Sequence, residues 1–230
     1  MDIRGTIPNK VSMSGPGKEE GPLPAFFYFY IGGRDTIELT PCNQPAIALK
    51  GKPIRIFSWD IPYHTPGCDP SFALNQWDND PHLMTSFIEK SKQIIADLIQ
   101  DKWVNPEKMG IGGLSRGGFI ATSIASHIEQ IKTLVAFAPL TKFSDELTLF
   151  PVNESLLYKK IRFYIGNHDE RVGTDNCFKW IHELAKRGKE KRIRPYPGEL
   201  IISPSIGHKG HGTPKEIFTD GALWLWSTLQ

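Results

Sequence analysis

Residues 108 to 121 read KMGIGGLSRGGFIA, an apolar run followed by small residues and then by a helical pattern. Within this stretch Ser115 stands between Gly113 and Gly117. A chain that turns sharply from a strand into a helix holds the residue at the turn in a strained conformation and exposes its side chain. Glycines two residues to either side leave room for the neighbouring strand and helix. The stretch therefore predicts a strand–turn–helix unit with Ser115 as an exposed nucleophile at the N-terminus of the helix.

Glycine-rich turns between a strand and a helix also occur in dinucleotide-binding proteins. Here Gly110-x-Gly112 lacks a glycine at the third position that the dinucleotide fingerprint requires. An acidic residue at the end of a suitably placed second strand is also missing. The nucleophile interpretation is therefore preferred, and no cofactor is predicted.

Short apolar runs alternate with longer helical patterns along the rest of the chain. Runs this short and continuous are typical of strands that are buried on both faces of a parallel sheet. They predict an α/β fold, with a doubly wound, mostly parallel sheet flanked by helices and without a large cap domain. Helices are predicted from Asp80-Pro81, over 175–187 and from about Thr213. The predicted strands are 25–31, 54–58, 108–112, 131–138, 161–165 and 200–203.

Composition agrees with one ordinary globular domain. Of the 230 residues 40% are apolar, and the formal net charge is only +2, so neither nucleic acid nor an anionic membrane is a predicted partner. Three scattered cysteines form neither a disulfide framework nor a zinc motif. Residues 1–22 are polar and aperiodic and are predicted to be a flexible N-terminal arm, followed by a single domain over 23–230. The first residues lack the apolar core of a signal peptide, so a cytoplasmic location is expected.

Two stretches, 59–79 and 140–157, carry no predicted regular element. Long loops on a compact fold are often lids or pocket walls, and they are also simple surface excursions. Both interpretations stay open for these two stretches.

A serine nucleophile needs a base and an orienting acid, which in this architecture follow in the order serine, acid, histidine. The predicted strand 161–165 runs directly into Gly166-Asn167-His168-Asp169-Glu170-Arg171-Val172. Asp169 stands just beyond the carboxyl end of that strand, on the sheet edge that also carries Ser115. It is the predicted acid, with Glu170 as the alternative.

Two histidines, His208 and His211, lie on one short loop after the last predicted strand. His208 follows the strand at the shorter distance and stands in a Pro-x-x-Gly-His frame, so it is the preferred base, with His211 as the alternative. A metal site that combines these histidines with His168 and Asp169 is not predicted. The spacing His-x-x-His on a glycine-rich loop lacks the helical geometry that aims two imidazoles at one ion.

Acyl transfer at a serine also needs two N–H donors for the developing oxyanion. The backbone N–H of Arg116, directly after the nucleophile, is one predicted donor. Gly33, in the loop after the first predicted strand, is the other, although Gly32-Gly33 also fits a plain tight turn. The side chain of Arg116 is a candidate partner for a substrate carboxylate or for a structural salt bridge.

These motifs resemble those of the α/β-hydrolase superfamily, over about residues 23–230. The forms Gly-x-x-Asp-x-x-Val at 166–172 and Pro-x-x-Gly-His at 204–208 are similar to those of small esterases, dienelactone hydrolases and prolyl-oligopeptidase-like proteins. The resemblance implies a triad of Ser115, Asp169 and His208. The His-Gly pair usual in the oxyanion loop of this superfamily is replaced here by Ile31-Gly32-Gly33.

The expected activity is that of a serine hydrolase resembling the carboxylesterases, which works through an acyl-enzyme on small-molecule esters. A peptidase acting on short peptides and a thioesterase are the alternatives within the same fold. A non-catalytic binding protein is the alternative of another class, because fold alone does not determine function.

Overall fold

A computed structural model of the chain describes residues 10–64, 68–143, 149–195 and 197–230. Its centre is a seven-stranded sheet in the order β1-β3-β2-β4-β5-β6-β7. Strand β1 runs antiparallel to β3, and all other neighbours are parallel. The predicted doubly wound, mostly parallel sheet is thereby confirmed. The strands are β1 Val11–Ser14, β2 Leu23–Phe29, β3 Arg55–Trp59, β4 Val104–Leu114, β5 Ile131–Phe137, β6 Lys160–Gly166 and β7 Glu199–Ser203.

In the described residues seven α-helices connect and cover these strands. The longest follows Asp80, whose side-chain oxygen accepts hydrogen bonds from the backbone N–H groups of His82 at 3.0 Å and Leu83 at 3.3 Å. Asp80 is thus a helix N-cap, as its position before Pro81 predicts. The helices are α1 Gly33–Glu38, α2 Gln44–Ala48, α3 Ala73–Asn79, α4 Pro81–Gln100, α5 Arg116–Ala125, α6 Thr174–Glu190 and α7 Lys215–Thr228.

The core lies on both faces of the sheet. Phe27 and Phe29 of β2 belong to a cluster on the face covered by α4, α5 and α6. Phe26 and Tyr28 of the same strand belong to a cluster on the opposite face, which α7 covers. All four side chains are fully buried, as expected for a strand in the middle of a two-sided parallel sheet.

The predicted flexible arm is wrong for the part of it that the structure describes. Val11–Ser14 form β1 and pair with β3. The buried guanidinium of Arg55 donates to the carbonyl oxygens of Pro16 at 2.9 Å and Gly21 at 2.7 Å, and so holds the segment between β1 and β2. Residues 1–9 of the predicted arm lie outside the described residues.

Among the described segments none forms a large cap domain, in agreement with the prediction. None of the helices in the described ranges has the length and apolar character needed to cross a membrane.

Candidate active site

Ser115 lies at a sharp turn between β4 and α5. Its backbone has φ 56° and ψ −120°, a conformation that a non-glycine residue adopts only when its surroundings impose it. The Ser115 N–H donates to the carbonyl of Phe137 at 2.8 Å, and its carbonyl accepts from the N–H groups of Gly118 at 2.9 Å and Leu140 at 3.1 Å. The end of β5 and the first turn of α5 therefore hold the serine in this strained geometry.

The glycines on either side of Ser115 are required by close backbone contacts. A Cβ atom on Gly113 would lie 2.2 Å from the carbonyl carbon of Gly117, and one on Gly117 would lie 2.0 Å from the carbonyl oxygen of Phe29. Real Cβ atoms do not approach backbone this closely, so the turn can form only with glycine at both positions. This is the spacing that the sequence pattern predicts.

Asp169 lies beyond the end of β6 with its side chain fully buried. One carboxylate oxygen, Oδ1, accepts hydrogen bonds from the backbone N–H groups of Arg171 at 2.9 Å and Val172 at 3.0 Å. The other oxygen, Oδ2, lies 2.7 Å from Nδ1 of His211. The orientation of the carboxylate is therefore fixed through both oxygens, whereas Glu170, the alternative acid, is exposed and lies 3.2 Å from His168.

His211 lies between Asp169 and Ser115. Its Nε2 atom is 2.8 Å from Ser115 Oγ, and its side chain is 9% exposed. A carboxylate only accepts hydrogen bonds, so Nδ1 carries the ring proton toward Asp169, and Nε2 is left to accept from the Ser115 hydroxyl. The three side chains form a continuous hydrogen-bonded chain with the polarity that a general base requires.

His208, which the sequence analysis prefers as the base, is exposed and does not take this position. The loop turns between the two histidines, with φ 76° at Gly207, 53° at Lys209 and 70° at Gly210, and it closes through a 2.7 Å hydrogen bond from the Gly212 N–H to the Ile206 carbonyl. This turn brings His211 back toward the sheet. The preference for His208 is therefore corrected, and His211, the stated alternative, is the histidine that contacts Ser115 and Asp169.

The loops that carry Asp169 and His211 are bound to each other. Ser205 Oγ accepts from the His168 N–H at 2.7 Å, and the Ser205 N–H donates to Asn167 Oδ1 at 3.0 Å. A Cβ atom on Gly210 would lie 2.0 Å from the carbonyl oxygen of His168, so the loop backbones also touch directly. These contacts determine the distance between the acid and the base.

The structure excludes one of the two predicted oxyanion donors and leaves the other as a prediction. Arg116 is the first residue of α5 and directly follows Ser115, and its role as a donor stays a prediction. Gly33 begins α1, and its N–H donates to Asp60 Oδ1 at 2.8 Å. Because this N–H is committed to a carboxylate, the assignment of Gly33 as an oxyanion donor is corrected. The backbone at Tyr30 lies against the first turn of α5, because its Cα would be 2.8 Å from a Cβ placed on Gly117.

The guanidinium of Arg116 contacts the imidazole of His64, with 3.0 Å between Nη1 and Nε2. The other ring nitrogen of His64, Nδ1, lies 2.9 Å from the carbonyl oxygen of Pro62 and therefore donates to it. Nε2 is then free of a proton and accepts from Arg116. Burial lowers the pKa of His64, which favours this neutral form. No local sequence pattern marks His64, because its pairing with Arg116 joins residues 52 positions apart.

Within the described ranges, no group of three or more His, Cys, Asp or Glu side chains is arranged to hold a metal ion.

Comparison with solved structures gives matches over nearly the whole chain. A cold-adapted esterase from an Arctic intertidal metagenomic library has a TM-score of 0.66 at 17% identity, over 93% of this chain and 86% of that one. A protein of Thermus thermophilus has a TM-score of 0.67 at 14% identity, over 96% and 93%. Est1E of Butyrivibrio proteoclasticus, solved with ferulic acid bound, has a TM-score of 0.61 at 14% identity, over 95% and 94%.

No family model matches the sequence, and neither does any curated protein. The strand order, the strained serine turn and these structural similarities together define the class: the chain has the α/β-hydrolase fold.

Proposed function

We propose that the protein is a serine hydrolase that cleaves carboxylic esters through an acyl-enzyme. Ser115 is the nucleophile, His211 the general base and Asp169 the group that orients it. The observation that carries this proposal is the unbroken chain of hydrogen bonds from Asp169 Oδ2 to His211 Nδ1 (2.7 Å) and from His211 Nε2 to Ser115 Oγ (2.8 Å).

The reaction follows from these positions. His211 Nε2 takes the hydroxyl proton as Ser115 Oγ attacks the ester carbonyl carbon, and Asp169 stabilises the imidazolium that forms. The tetrahedral intermediate collapses when His211 returns the proton to the leaving alcohol, which leaves the acyl group on Ser115. Water, deprotonated by the same histidine, then attacks the acyl-enzyme and releases the acid.

The oxyanion that forms in each half of the reaction needs N–H donors. In this proposal one is the backbone N–H of Arg116, at the N-terminus of α5. The other is the backbone N–H of Tyr30, which lies against the first turn of that helix, rather than that of Gly33 or Ile31, whose N–H groups donate to Asp60 and Thr36. The location of Tyr30 directly after β2 supports this choice.

Esters are preferred over peptides and thioesters because one of the structural neighbours is described as an esterase and another, Est1E, was solved with ferulic acid, a carboxylic acid, bound. A non-catalytic binding protein has no need of a buried acid, an oriented imidazole and a strained serine that are joined by hydrogen bonds. That combination favours an enzyme over a receptor or scaffold.

Pre-steady-state hydrolysis of p-nitrophenyl butyrate tests this proposal. We expect the wild type to release a rapid burst of about one equivalent of p-nitrophenol followed by slower turnover, because the good leaving group makes acylation faster than hydrolysis of the acyl-enzyme. Ser115→Ala should lose the burst and at least about 10³-fold in kcat/KM. Ser227→Ala, which changes an exposed serine of α7, is the control and should retain both. Turnover that persists in Ser115→Ala would exclude Ser115 as the nucleophile.

A further inference from the structure

A cavity of about 570 Å³ lies alongside α5, the helix that begins at the nucleophile. Leu140 and Phe119 line the end of the cavity closest to the nucleophile. The N–H of Leu140 donates to the Ser115 carbonyl at 3.1 Å, and Phe119 lies about one helical turn beyond Ser115. From there the cavity extends along α5 as far as Ser126 and His127. One end therefore adjoins the backbone of the nucleophile, and the other lies at the end of the helix.

The walls of this cavity are mainly aromatic and aliphatic. Phe119, Phe143 and Phe150 form a cluster with ring centroids 4.2 to 5.2 Å apart. Phe143 and Phe150 belong to the 140–157 stretch, so the structure makes the described part of this stretch a pocket wall. The other apolar lining residues include Trp77, Met84, Ile88, Leu156, Phe163 and Trp180.

Most of the polar groups in the walls have partners inside the protein, but the buried hydroxyl of Thr141, which also lines the cavity, has no hydrogen-bond partner among the described residues. The hydroxyls of Thr122, Ser123 and Ser126 donate to carbonyl oxygens of α5 at 2.8 to 2.9 Å. The indole N–H of Trp180 donates to the Phe150 carbonyl at 3.0 Å. Asp78, the acidic residue among the described lining residues, has an exposed side chain. A mainly apolar ligand therefore fits this cavity, whereas a charged group would leave water without compensation.

The position of His211 indicates which part of an ester, the acyl group or the alcohol, would bind in the cavity. The leaving alcohol must lie where His211 Nε2 can return a proton to it. None of the side chains of Ser115, His211 and Asp169 lines the cavity itself, but Leu140 and Phe119, which adjoin the Ser115 backbone, do, whereas no residue of the loops that carry Asp169 and His211 does. The group in the cavity is therefore the one that stays on Ser115. Building on the proposed function, we propose that the cavity binds the acyl part of the substrate, and that this acyl part is apolar and longer than acetyl.

A series of p-nitrophenyl esters from acetate to octanoate tests the proposal. Each methylene that enters an apolar site from water contributes about 0.8 kcal/mol, which corresponds to about fourfold in kcat/KM. Full burial of all six methylenes that separate octanoate from acetate would give about 4,000-fold, and we expect kcat/KM to rise by at least about 100-fold, which burial of three to four of them provides. Lengthening the alcohol of butanoate esters from methyl to hexyl should change kcat/KM by less than about threefold.

A pair of matched serine substitutions tests whether the dependence of kcat/KM on acyl length arises in the cavity. Ser126 lines the cavity and donates to a carbonyl three residues earlier at 2.8 Å, and the exposed Ser227 makes the same kind of bond at 2.7 Å. We expect Ser126→Trp to lower kcat/KM for octanoate by at least about tenfold while acetate changes less than about twofold. Ser227→Trp should keep the wild-type profile. If Ser126→Trp does not fold, Ser123→Leu fills the same cavity with a smaller side chain and should shorten the preferred chain.

Two results would overturn the acyl-chain proposal while the proposed function stands. One is a flat acyl-length profile in enzyme that reacts with a fluorophosphonate at Ser115. The other is a steep dependence on the alcohol instead of the acyl group. A protein that does not react with the fluorophosphonate contradicts the proposed function itself, so the two failures are distinguishable.

Discussion

We expect His211→Ala to lower kcat/KM for p-nitrophenyl butyrate by about 10⁴-fold, and His208→Ala to lower it by less than about threefold. The two histidines stand on the same loop, three positions apart. His211 Nε2 lies 2.8 Å from Ser115 Oγ, and its removal leaves the hydroxyl without a base. His208 is exposed, and its replacement should leave that hydrogen bond intact.

Steady-state kinetics of both variants beside the wild type measure this difference. Circular dichroism and thermal melting show whether each variant remains folded, so that a loss of activity can be assigned to the chemistry. Equal losses in the two variants, or a larger loss in His208→Ala, would contradict the assignment of His211 as the base.

We expect Asp169→Asn to lower kcat at neutral pH by about 10⁴-fold, although asparagine has nearly the same shape. The Oδ1 position accepts from the N–H groups of Arg171 and Val172, so the amide oxygen of an asparagine must take that position. Its NH₂ group then faces His211 Nδ1 and forces that nitrogen to accept. The ring proton moves to Nε2, and the imidazole can no longer accept the proton of Ser115.

Kinetics of this variant should be compared with Glu170→Gln, which neutralises the exposed neighbouring carboxylate. Glu170→Gln should retain activity within about threefold. An Asp169→Asn variant with more than about a tenth of the wild-type kcat would show that Asp169 does not select the tautomer of His211.

Much of the fold is predictable from local patterns. The continuous apolar runs at 131–138 and 161–165 became β5 and β6 within one residue at each end, because both are buried on both faces of the sheet. Strand β1 was not predictable in the same way. Its four half-buried residues have no distinctive pattern, and the adjoining segment is held by Arg55, from a later strand.

In the candidate site, too, the features that depend on neighbouring residues were predictable, and those that depend on the tertiary structure were not. Ser115 and Asp169 were predictable because each directly follows a buried strand, and the geometry there depends on a few neighbouring residues. The choice between His208 and His211 depends on the turn at Gly207, Lys209 and Gly210, and distance along the chain does not reveal where such a turn points a side chain. The prediction of Gly33 as an oxyanion donor was wrong because of a tertiary contact: its N–H donates to Asp60, 27 residues away.

Intact-mass spectrometry after treatment with a fluorophosphonate, followed by peptide mapping, tests most directly whether Ser115 is an activated nucleophile. We predict one adduct per chain on the wild type, located on Ser115, and no adduct on Ser115→Ala. An unmodified wild type, or an adduct that persists in Ser115→Ala, would contradict the account.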